Sequence, residues 1–512
     1  MKTARILLWM IPCILLVLPG AHGGTEGIRI LYVNDFHGYA EPYAPLGSDN
    51  LAGGLSFLAH KVHQLREGPP SLLLAAGDMI QGSNWANLSQ GAPVIEAMNE
   101  MRFDAMVVGN HEFDFGQESL RKRVSEAAFP VLGANVQGLE YLKPYTIATV
   151  GHMRAALIGV VTEETPVSTH PRNAAGLSFG PPAEALRNIL EEIRGKVDLV
   201  VVLSHCGYAA DRALAESVDG IDVIIGGHSH TRLLTPTMVN NTWIVQAWEH
   251  AKSLGVLDLT VESGRVIGAE GRLEDISPVE GGSDGAVLAI VGKHRQRLDA
   301  VLEEKIGEAS ADLDGVNVRR QETNLGNLVA DIIRKTAGAD AGLINGGTIR
   351  TSIRKGDIRV KDVYSVLPFE SYPVAIRLTG KQMRDALEHG VSGIAEGAGR
   401  FPQVSGIRLS YRPEGALGPR IESLTVGGEP VDDGKVYSVA TIDFLAAGGD
   451  GFRSFGDAIR SAGTSSQEAG RLTGDAIVFN DTSRWLRDIL SDHIRETKQI
   501  APSVEGRIRE VR

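Results

Sequence analysis

Five short apolar runs in the first half of the chain each end abruptly in a small polar cluster. The runs and the polar residues that follow them are Ile28–Val33 with Asp35 and His37, Ser71–Ala76 with Asp78, Ala105–Val108 with Asn110 and His111, Leu199–Leu203 with His205, and Ile221–Ile225 with His228 and His230. Short aliphatic runs of this kind predict buried β-strands. In layered α/β folds the residues just past the strand ends converge on the functional site. The pattern therefore predicts an α/β domain with a polar site at one edge of its sheets.

The donor chemistry of these clusters indicates metal ions. Seven of the side chains are candidate ligands: Asp35, His37, Asp78, Asn110, His205, His228 and His230. They offer carboxylate or amide oxygen and imidazole nitrogen without any thiolate, a set that suits Mn²⁺, Zn²⁺, Fe or Mg²⁺ and disfavours a structural zinc knot. So many ligands predict a pair of divalent cations rather than one, and a pair of cations is typical of hydrolytic chemistry.

Glycine stands directly beside several of the candidate ligands, at positions 77, 109 and 227. A backbone that approaches a metal ion closely leaves little room for a Cβ, so glycine is the expected neighbour. Asp78 follows one of these glycines on a predicted tight turn. A carboxylate has two oxygens, so Asp78 is able to bridge two cations.

The length of the chain predicts two domains, because 512 residues exceed what one hydrophobic core usually supports. Strand-like runs alternate with helical runs such as Gly53–Leu65 and Ala183–Arg194, which is typical of an α/β domain. A glycine-rich stretch then gives way to a charged segment, 287–305, that is apolar at helical spacing and predicts a linker helix. The predicted divisions are a leader at 1–23, a first domain at 25–278, a linker helix at 279–304 and a second α/β domain at 305–512.

The composition excludes some functions and leaves others open. Hydrophobic content of 43% and charged content of 22% are ordinary for a soluble globular protein. The net charge of −12 disfavours a nonspecific binder of nucleic acid polymers or anionic membranes, although it allows a small phosphorylated substrate. The sequence leaves the oligomeric state open.

The N-terminus has the pattern of an export signal. Lys2 and Arg5 precede the apolar stretch Ile6–Leu18, and the small residues Ala21–Gly23 follow it. A membrane anchor is the alternative, but the apolar run is short for a bilayer span. Once this leader is cleaved, Cys206 is the single remaining cysteine, so no intramolecular disulfide is expected. We therefore expect a periplasmic or secreted protein without membrane attachment.

The order of the motifs adds a family resemblance. Asp-x-His, Gly-Asp, Gly-Asn-His-Glu, His and Gly-His-x-His follow one another here as in the calcineurin-type metallophosphoesterases, which this chain resembles. With the segment Asn-His-Glu-Phe-Asp-Phe-Gly and a matching second half, the whole mature chain resembles the exported bacterial 5′-nucleotidase family. That family includes UDP-sugar hydrolases and 2′,3′-cyclic-nucleotide phosphodiesterases. The resemblance implies a four-layer α/β/β/α metallophosphoesterase domain followed by an α/β nucleotide-binding domain.

The resemblance also implies roles for the ligands. It assigns Asp35, His37, Asp78 and His230 to one ion, and Asp78, Asn110, His205 and His228 to the other, with Asp78 bridging. His111 corresponds to the catalytic imidazole, which stabilises charge on the phosphoryl group or protonates the leaving oxygen. Asp114 would orient His111. Some family members carry Gln where this chain has His230, so the metal preference differs among relatives.

The second half contains motifs that resemble the nucleotide-binding motifs of the family. The matching residues are Arg319, Asn345, Arg350, Phe369, Phe444 and Asp450. On this resemblance the two phenylalanines sandwich a base, Asp450 accepts hydrogen bonds from ribose hydroxyls, and the remaining side chains contact base, ribose or phosphate. This chain has Glu370-Ser371 where relatives often continue with Gly or Asn, which adds a carboxylate near the predicted base pocket.

The resulting hypothesis is a metal-dependent phosphohydrolase that removes phosphate from nucleotides with two divalent ions such as Zn²⁺ or Mn²⁺. Within the enzyme class, a cyclic nucleotide, a nucleotide sugar or a sulfur-linked group is the alternative substrate. Outside it, the alternative is an exported nucleotide-binding protein without catalysis.

Overall fold

The computed structural model describes residues 25–45, 48–262, 265–278, 282–296, 302–412, 419–461, 466–468, 471–481 and 484–511. The predicted leader at 1–23 lies outside these residues, so its prediction stays untested. The described chain is a mixed α/β protein, which confirms the predicted fold class. Among the described residues, no helix combines the length and the apolar character that crossing a bilayer requires.

The first half alternates strands and helices. Its strands are β1 Glu26–Val33, β2 Ser71–Ala75, β3 Ala105–Val107, β4 Val131–Leu132, β5 Val136–Gln137, β6 Tyr145–Val150, β7 Met153–Val161, β8 Ser178–Phe179, β9 Leu199–His205, β10 Val223–Gly226, β11 Thr237–Val239, β12 Thr242–Val245, β13 Ser253–Glu262 and β14 Arg265–Asp275. Its helices are α1 Leu55–Arg66, α2 Asn84–Asn87, α3 Ala92–Glu100, α4 Gly116–Glu126, α5 Thr165–Ser168, α6 Pro182–Ile193, α7 Tyr208–Ser217 and α8 Gly285–Gln296. The five apolar runs correspond to β1, β2, β3, β9 and β10, with ends within two residues of the prediction.

Two six-stranded sheets form the centre of this half. The first has the strand order β14-β13-β1-β2-β3-β4, and the second has the order β11-β12-β10-β9-β7-β6. The strands alternate their side chains between two faces. Ile30 and Leu74 of the first sheet therefore join Val201 and Ile225 of the second in one buried layer between the sheets. Face-to-face packing of this kind brings the ends of β1, β2 and β3 beside those of β9 and β10.

Helices cover the outer face of each sheet. Leu31 and Leu73 point away from the sheet interface and pack in one cluster with Leu58 of α1 and Val291 of α8. On the far side, α6 presents Leu186, Ile189 and Ile193 at helical spacing to the second sheet. The half thus has the four layers α/β/β/α, as predicted.

The segment predicted as a linker helix is only partly helical. Helix α8 covers Gly285–Gln296 and buries Val287 and Val291 against the outer layer of the first half. Residues 279–281 and 297–301 lie outside the described residues. The prediction that the helix reaches residue 305 is wrong, because Lys305 pairs with Arg359 in a strand. Apolar residues recur at helical spacing up to residue 305, but Lys305 is in a strand because its backbone pairs with that of Arg359.

The second half is built around a five-stranded sheet. Its strands are β15 Lys305–Ala309, β16 Ala341–Asn345, β17 Gly356–Arg359, β18 Pro373–Thr379, β19 Pro402–Ser405, β20 Ile407–Tyr411, β21 Ile421–Val426, β22 Glu429–Pro430, β23 Val436–Ile442, β24 Ser466–Glu468, β25 Arg471–Thr473, β26 Ile477–Asn480, β27 Gln499–Ile500 and β28 Ile508–Glu510. Its helices are α9 Asn324–Ala337, α10 Val360–Val366, α11 Gly380–Val391, α12 Asp443–Ala446, α13 Arg453–Ser461 and α14 Leu486–Thr497. The central sheet has the order β19-β16-β23-β18-β26.

The ends of helix α9 have clear causes in the sequence. Thr323 caps the N-terminus by accepting a hydrogen bond from the backbone N–H of Gly326. Gly338 ends the helix in the left-handed conformation, with φ of 60°. The adjacent strands β16 and β23 run parallel, so their carboxyl ends bring Asn345 and Phe444 to the same edge of the sheet.

Candidate active site

The structure brings the seven candidate ligands together at the meeting ends of the two sheets. Six of them form two groups, and within each group the donor atoms lie within 4.8 Å of one another. The first group is Asp35, His37 and His230, and the second is Asp78, His205 and His228. Asn110 joins the second group, since its Oδ1 lies 3.0 Å from Nδ1 of His228. Asp78 Oδ2 lies 3.0 Å from Nε2 of His205 and 3.8 Å from Nε2 of His37. That position between the groups is the one a bridging carboxylate requires.

The backbone at the ligands is strained. Five of them have positive φ: Asp35 at 48°, His37 at 50°, Asp78 at 55°, His228 at 72° and His230 at 50°. Side-chain-bearing residues rarely adopt this left-handed region, and each instance costs about 1–3 kcal/mol. The turns after the strands therefore hold their side chains toward the centre at the expense of stability, which is typical of functional sites.

The glycines beside the ligands are required by space. A Cβ on Gly77 would lie 2.5 Å from Nδ1 of His205, and one on Gly109 would lie 2.2 Å from Oδ1 of Asp78. A Cβ on Gly227 would lie 2.4 Å from the carbonyl oxygen of Ala76. These separations are shorter than real Cβ contacts, so any larger residue would displace a ligand.

The hydrogen bonds of the imidazoles show that the site fits divalent cations. Nδ1 of His205 lies 2.7 Å from the carbonyl oxygen of Ala76 and donates to it, so in the neutral ring Nε2 is the nitrogen that carries a lone pair. Nε2 is buried and has no hydrogen-bond partner among the described residues, although an oxygen of Asp78 lies beside it. In the same way Nδ1 of His37 donates to the carbonyl of Gln81, and Nε2 of His37 lies 3.3 Å from Nε2 of His230. Carboxylate oxygens and imidazole nitrogens that converge in this way are an arrangement that a cation satisfies.

Protonation competes with a cation for this space. Burial lowers the pKa of His205, but the carboxylates of Asp78 and Asp35 outweigh burial and raise it to about 10. Burial, together with Arg350, holds the pKa of His37 well below its usual range. His37 is therefore neutral and ready to bind a cation, whereas His205 must first lose a proton.

Two glutamates that the sequence interpretation did not assign, the buried Glu112 and the partly buried Glu249, hold the ligands in place. Glu112 accepts hydrogen bonds from the backbone N–H groups of Asp78 at 2.8 Å, Met79 at 2.7 Å and Gly109 at 2.5 Å. Its carboxylate thus joins two ligand loops. Burial, with the nearby Asp78, raises the pKa of Glu112 to about 7. In the sequence, the signal that could have identified Glu112 was its position directly after Asn110 and His111.

The second glutamate, Glu249, accepts a hydrogen bond from Nδ1 of His230 and another from Nζ of Lys252 at 2.5 Å. With His250 it forms a third group of metal-capable side chains. Because Lys252 already neutralises the carboxylate, we interpret Glu249 as a group that orients His230 rather than as a ligand of a further ion. It follows strand β12, so the rule of polar clusters after apolar strands could have identified it.

The predicted catalytic pair is assembled. Nδ1 of His111 lies 2.6 Å from Oδ2 of Asp114, and the backbone N–H of His111 donates to Oδ1 of Asp78 at 2.9 Å. Burial lowers the pKa of His111, but Asp114 and Asp78 outweigh burial and raise it above the usual value. The imidazole is therefore held at the edge of the ligand cluster in a form that can carry a proton.

The predicted substrate residues of the second half line the same cleft as four of the seven candidate ligands, and this cleft has a volume of about 1990 Å³. The Phe369 ring stacks on the His111 ring with centroids 5.9 Å apart, and Nη2 of Arg350 lies 3.4 Å from Nε2 of His37. Nδ2 of Asn345 donates to Oδ2 of Asp450 at 2.5 Å. The first two contacts place Phe369 and Arg350 directly beside the ligand cluster.

Three further side chains complete this cleft wall. Arg319 and Phe444 line the cleft, and burial together with Arg350 lowers the pKa of Arg319 to about 10. Glu370 also lines the cleft, and its Oε1 lies 3.6 Å from Nη2 of Arg487. Asp35, His37 and His205 do not line the cleft and lie buried below it.

Comparisons with known proteins match both halves of the chain. The calcineurin-like phosphoesterase family model matches residues 28–232, and the 5′-nucleotidase C-terminal domain model matches residues 305–457. Human 5′-nucleotidase is 31% identical over an alignment of 563 residues that covers 97% of this chain and 94% of the human protein.

Solved structures agree with the sequence matches. The crystal structure of a 5′-nucleotidase precursor from Thermus thermophilus superposes with a TM-score of 0.85 at 32% identity, covering 95% of this chain and 99% of that chain. The sulfate thiohydrolase SoxB from Thermus thermophilus has a TM-score of 0.77 at 21% identity over 94% of this chain and 96% of that one, which shows a shared fold alone. The chain therefore belongs to the 5′-nucleotidase family, whose members are metal-dependent hydrolases of nucleotide phosphates.

Proposed function

We propose that the enzyme hydrolyses the 5′-phosphate ester of nucleoside monophosphates and releases a nucleoside and inorganic phosphate. One observation carries the proposal. Phe369 and Phe444 form the predicted base platform, and the ring of Phe369 lies against His111, so this platform and the catalytic pair are neighbours across the cleft. Arg350 supports it from the same side, because its guanidinium reaches the ligand His37. A small phosphate ester with one aromatic base matches this spacing better than a polymer does.

We propose that the cluster holds two divalent ions, Zn²⁺ or Mn²⁺. One would be held by Asp35, His37, Asp78 and His230, and the other by Asp78, Asn110, His205 and His228. When bound, such ions draw charge from the phosphoryl oxygens and lower the pKa of a water molecule.

In this proposal His111 and Asp114 carry out the proton transfer to the leaving group. The oxygen of water forms a bond to phosphorus while the bond from phosphorus to the 5′-oxygen breaks; one water proton stays on the phosphate, and the other passes to solvent and balances the proton that His111 gives and later regains. Asp114 engages Nδ1 of His111, which leaves Nε2 as the ring nitrogen available to the substrate. Asp114 and Asp78 raise the pKa of His111, which favours the protonated ring, and in this form the ring stabilises phosphoryl charge and gives a proton to the departing 5′-oxygen.

The second half would bind the nucleoside. Phe369 and Phe444 stack on the base, and such stacking tolerates different bases. Asp450 accepts hydrogen bonds from the ribose hydroxyls, with Asn345 beside it. Arg319 and Arg350 contribute positive charge for the phosphate.

We further propose the domain limits 25–278, 279–304 and 305–512, and an exported protein whose leader at 1–23 is removed. A leader of this composition is recognised by the export machinery and is not part of the folded domains. The order of charged, apolar and small residues in the sequence supports this proposal.

The test combines metal analysis with a substrate panel. Purified protein would be assayed for Zn and Mn, and kcat/KM would be compared for AMP, UDP-glucose and 2′,3′-cyclic AMP. We expect two divalent ions per chain and the highest kcat/KM for AMP. A higher kcat/KM for UDP-glucose or 2′,3′-cyclic AMP would show that the preferred substrate belongs to that class rather than to the nucleoside monophosphates. Unchanged activity in metal-stripped protein would refute the proposed chemistry.

A further inference from the structure

The His111–Asp114 pair has a third member that the sequence motifs do not indicate. Asp114 has two carboxylate oxygens, and Oδ2 is engaged by the imidazole of His111. The other oxygen, Oδ1, accepts a hydrogen bond from the hydroxyl of Thr169 at 2.7 Å. The side chain of Thr169 is buried with 1% exposure, so no solvent replaces this contact. The rotation of the Asp114 carboxylate is therefore set from both sides.

Thr169 belongs to a segment, residues 162–173, that touches the site at several points. Nδ2 of Asn173 donates to the backbone carbonyl of Asp114 at 2.8 Å. The backbone carbonyl of Ser168 accepts from Nδ2 of the ligand Asn110 at 3.3 Å. Helix α5 within this segment lies against the turn Gly449–Gly451 of the second half, which contains Asp450. The 162–173 segment thus contacts the catalytic pair, a metal ligand and the substrate wall.

His170, the residue after Thr169, connects the same segment to the base platform. Nδ1 of His170 accepts the backbone N–H of Arg172 at 3.2 Å, so Nε2 is the protonated nitrogen and donates to Oδ2 of Asp443 at 3.2 Å. Asp443 is fully buried and directly precedes Phe444. Its other oxygen accepts the backbone N–H of Tyr372 at 3.2 Å, which fixes the carboxylate within the second half.

We propose that Thr169 and His170 are positioning residues for the proposed reaction. Thr169 sets the orientation of Asp114 and through it the imidazole of His111. His170 holds the 162–173 segment against Asp443, so that the catalytic pair is correctly oriented when the base platform is in place. Neither side chain needs to touch the substrate. The inference rests on the proposed function only in the identity of the ester, because the same pair would serve any phosphomonoester.

The first test replaces Thr169 by Val, which keeps the shape of the side chain and removes the hydroxyl. Because a hydrogen bond to a charged group is lost, we expect kcat to fall about 10- to 100-fold while KM for AMP changes less than about twofold. Thr169→Ser retains the hydroxyl and is the matched control, with kcat near that of the wild type. The loss should disappear in the Asp114→Ala background, since Thr169 acts through Asp114.

The second test uses His170→Ala, which removes the contact with Asp443 at the junction of the two halves. We expect a smaller fall in kcat, again absent in the Asp114→Ala background. If Thr169→Val does not fold, Thr169→Ala and His170→Ala answer the question through the same comparison. Wild-type kcat in the folded variants, or losses that multiply with that of Asp114→Ala, would overturn the inference.

Both tests would use AMP and p-nitrophenyl phosphate, a phosphomonoester without a nucleoside. A wild-type enzyme that hydrolyses only p-nitrophenyl phosphate would contradict the proposed nucleotide substrate, yet Thr169 would still be tested on that ester. Equal relative losses for the two esters support a role at the catalytic pair. A loss restricted to KM for AMP would instead place Thr169 in nucleoside binding and refute the inference.

Discussion

The two halves of the molecule treat buried charge differently. In the first half the carboxylates of Asp35 and Asp78 are almost completely buried, and imidazole nitrogens of His230 and His205 lie 3.3 and 3.0 Å from them. In the second half Arg507 makes two hydrogen bonds to the carboxylate of Asp331, at 2.7 and 2.9 Å, and pairs with Glu505 at 3.0 Å. Buried charge without a partner is expensive. The cluster in the first half is therefore suited to divalent cations, whereas the buried guanidinium of Arg507 in the second half is already paired with carboxylates.

Metal removal tests this contrast with the largest expected effect. Extensive chelation should lower kcat by about 10³-fold or more, because the charge on the phosphoryl group loses its main stabilisation. Amide hydrogen exchange should accelerate in the ligand loops around Asp35, Asp78 and His228 and stay unchanged in strands β16 and β23. Zn²⁺ or Mn²⁺ added back should restore both. Equal loss of protection in the two halves would contradict the comparison.

The catalytic imidazole gives the next effect. His111→Ala should lower kcat about 10²- to 10⁴-fold, the range for a general acid. Metal content should remain unchanged, because His111 is not among the predicted ligands. His63→Ala is the control, since His63 is half exposed on α1 and pairs with Asp284. Undiminished hydrolysis by folded His111→Ala would show that the assignment is wrong.

The base platform should affect binding rather than chemistry. Phe444→Ala should raise KM for AMP about 5- to 150-fold, because base stacking on an aromatic ring is worth about 1–3 kcal/mol. Phe444→Tyr keeps the ring and should retain most of the affinity. Hydrolysis of p-nitrophenyl phosphate should not change. Equal effects on both esters would show that Phe444 acts on the catalytic pair rather than by stacking on the base.

The ion pair of the second half gives the smallest effect, and it depends on pH. Burial raises the pKa of Asp331, but hydrogen bonds from Arg507 and Ser405 outweigh burial and lower it. A lowered carboxyl pKa stabilises the fold above the unfolded value, about 3.9, and this contribution is lost as the pH falls through the folded value.

Asp331→Asn should therefore lower the free energy of unfolding of the second half by about 1–2 kcal/mol at neutral pH. The difference from the wild type should shrink below about pH 4. Urea-induced unfolding at several pH values measures both. Asp433→Asn is the control, since Asp433 pairs with Arg384 at the surface and should cost less than about 0.5 kcal/mol. A difference that does not depend on pH would contradict the assignment to the ionised carboxylate.

Much of the first half could be predicted from local sequence. Burial alternates or persists along each strand, and strand ends appear where apolar residues give way to polar ones, so β1 and β9 were located within two residues. The residue types after the strands also defined the ligand chemistry. The helix predicted to reach residue 305 failed because local periodicity contains no information about the strand with which Lys305 pairs.

For other residues the local sequence did not show the role. Glu249 and Thr169 matter through contacts with His230 and Asp114, which are distant in sequence. Glu112 lay inside a recognised motif, yet its hydrogen bonds to the loop after β2 required the folded arrangement. Side chains that act through other side chains are defined by geometry rather than by type.

Hydrophobic period and side-chain chemistry, both of which are local, were sufficient to predict five of the fourteen strands described in the first half, the donor atoms that follow them and the motif order that identifies the family. The contact of Phe369 with His111 and that of His170 with Asp443 became visible only in the folded chain. Such contacts join the two halves of the chain, and packing of whole layers, rather than any neighbouring residue, brings them within reach of each other.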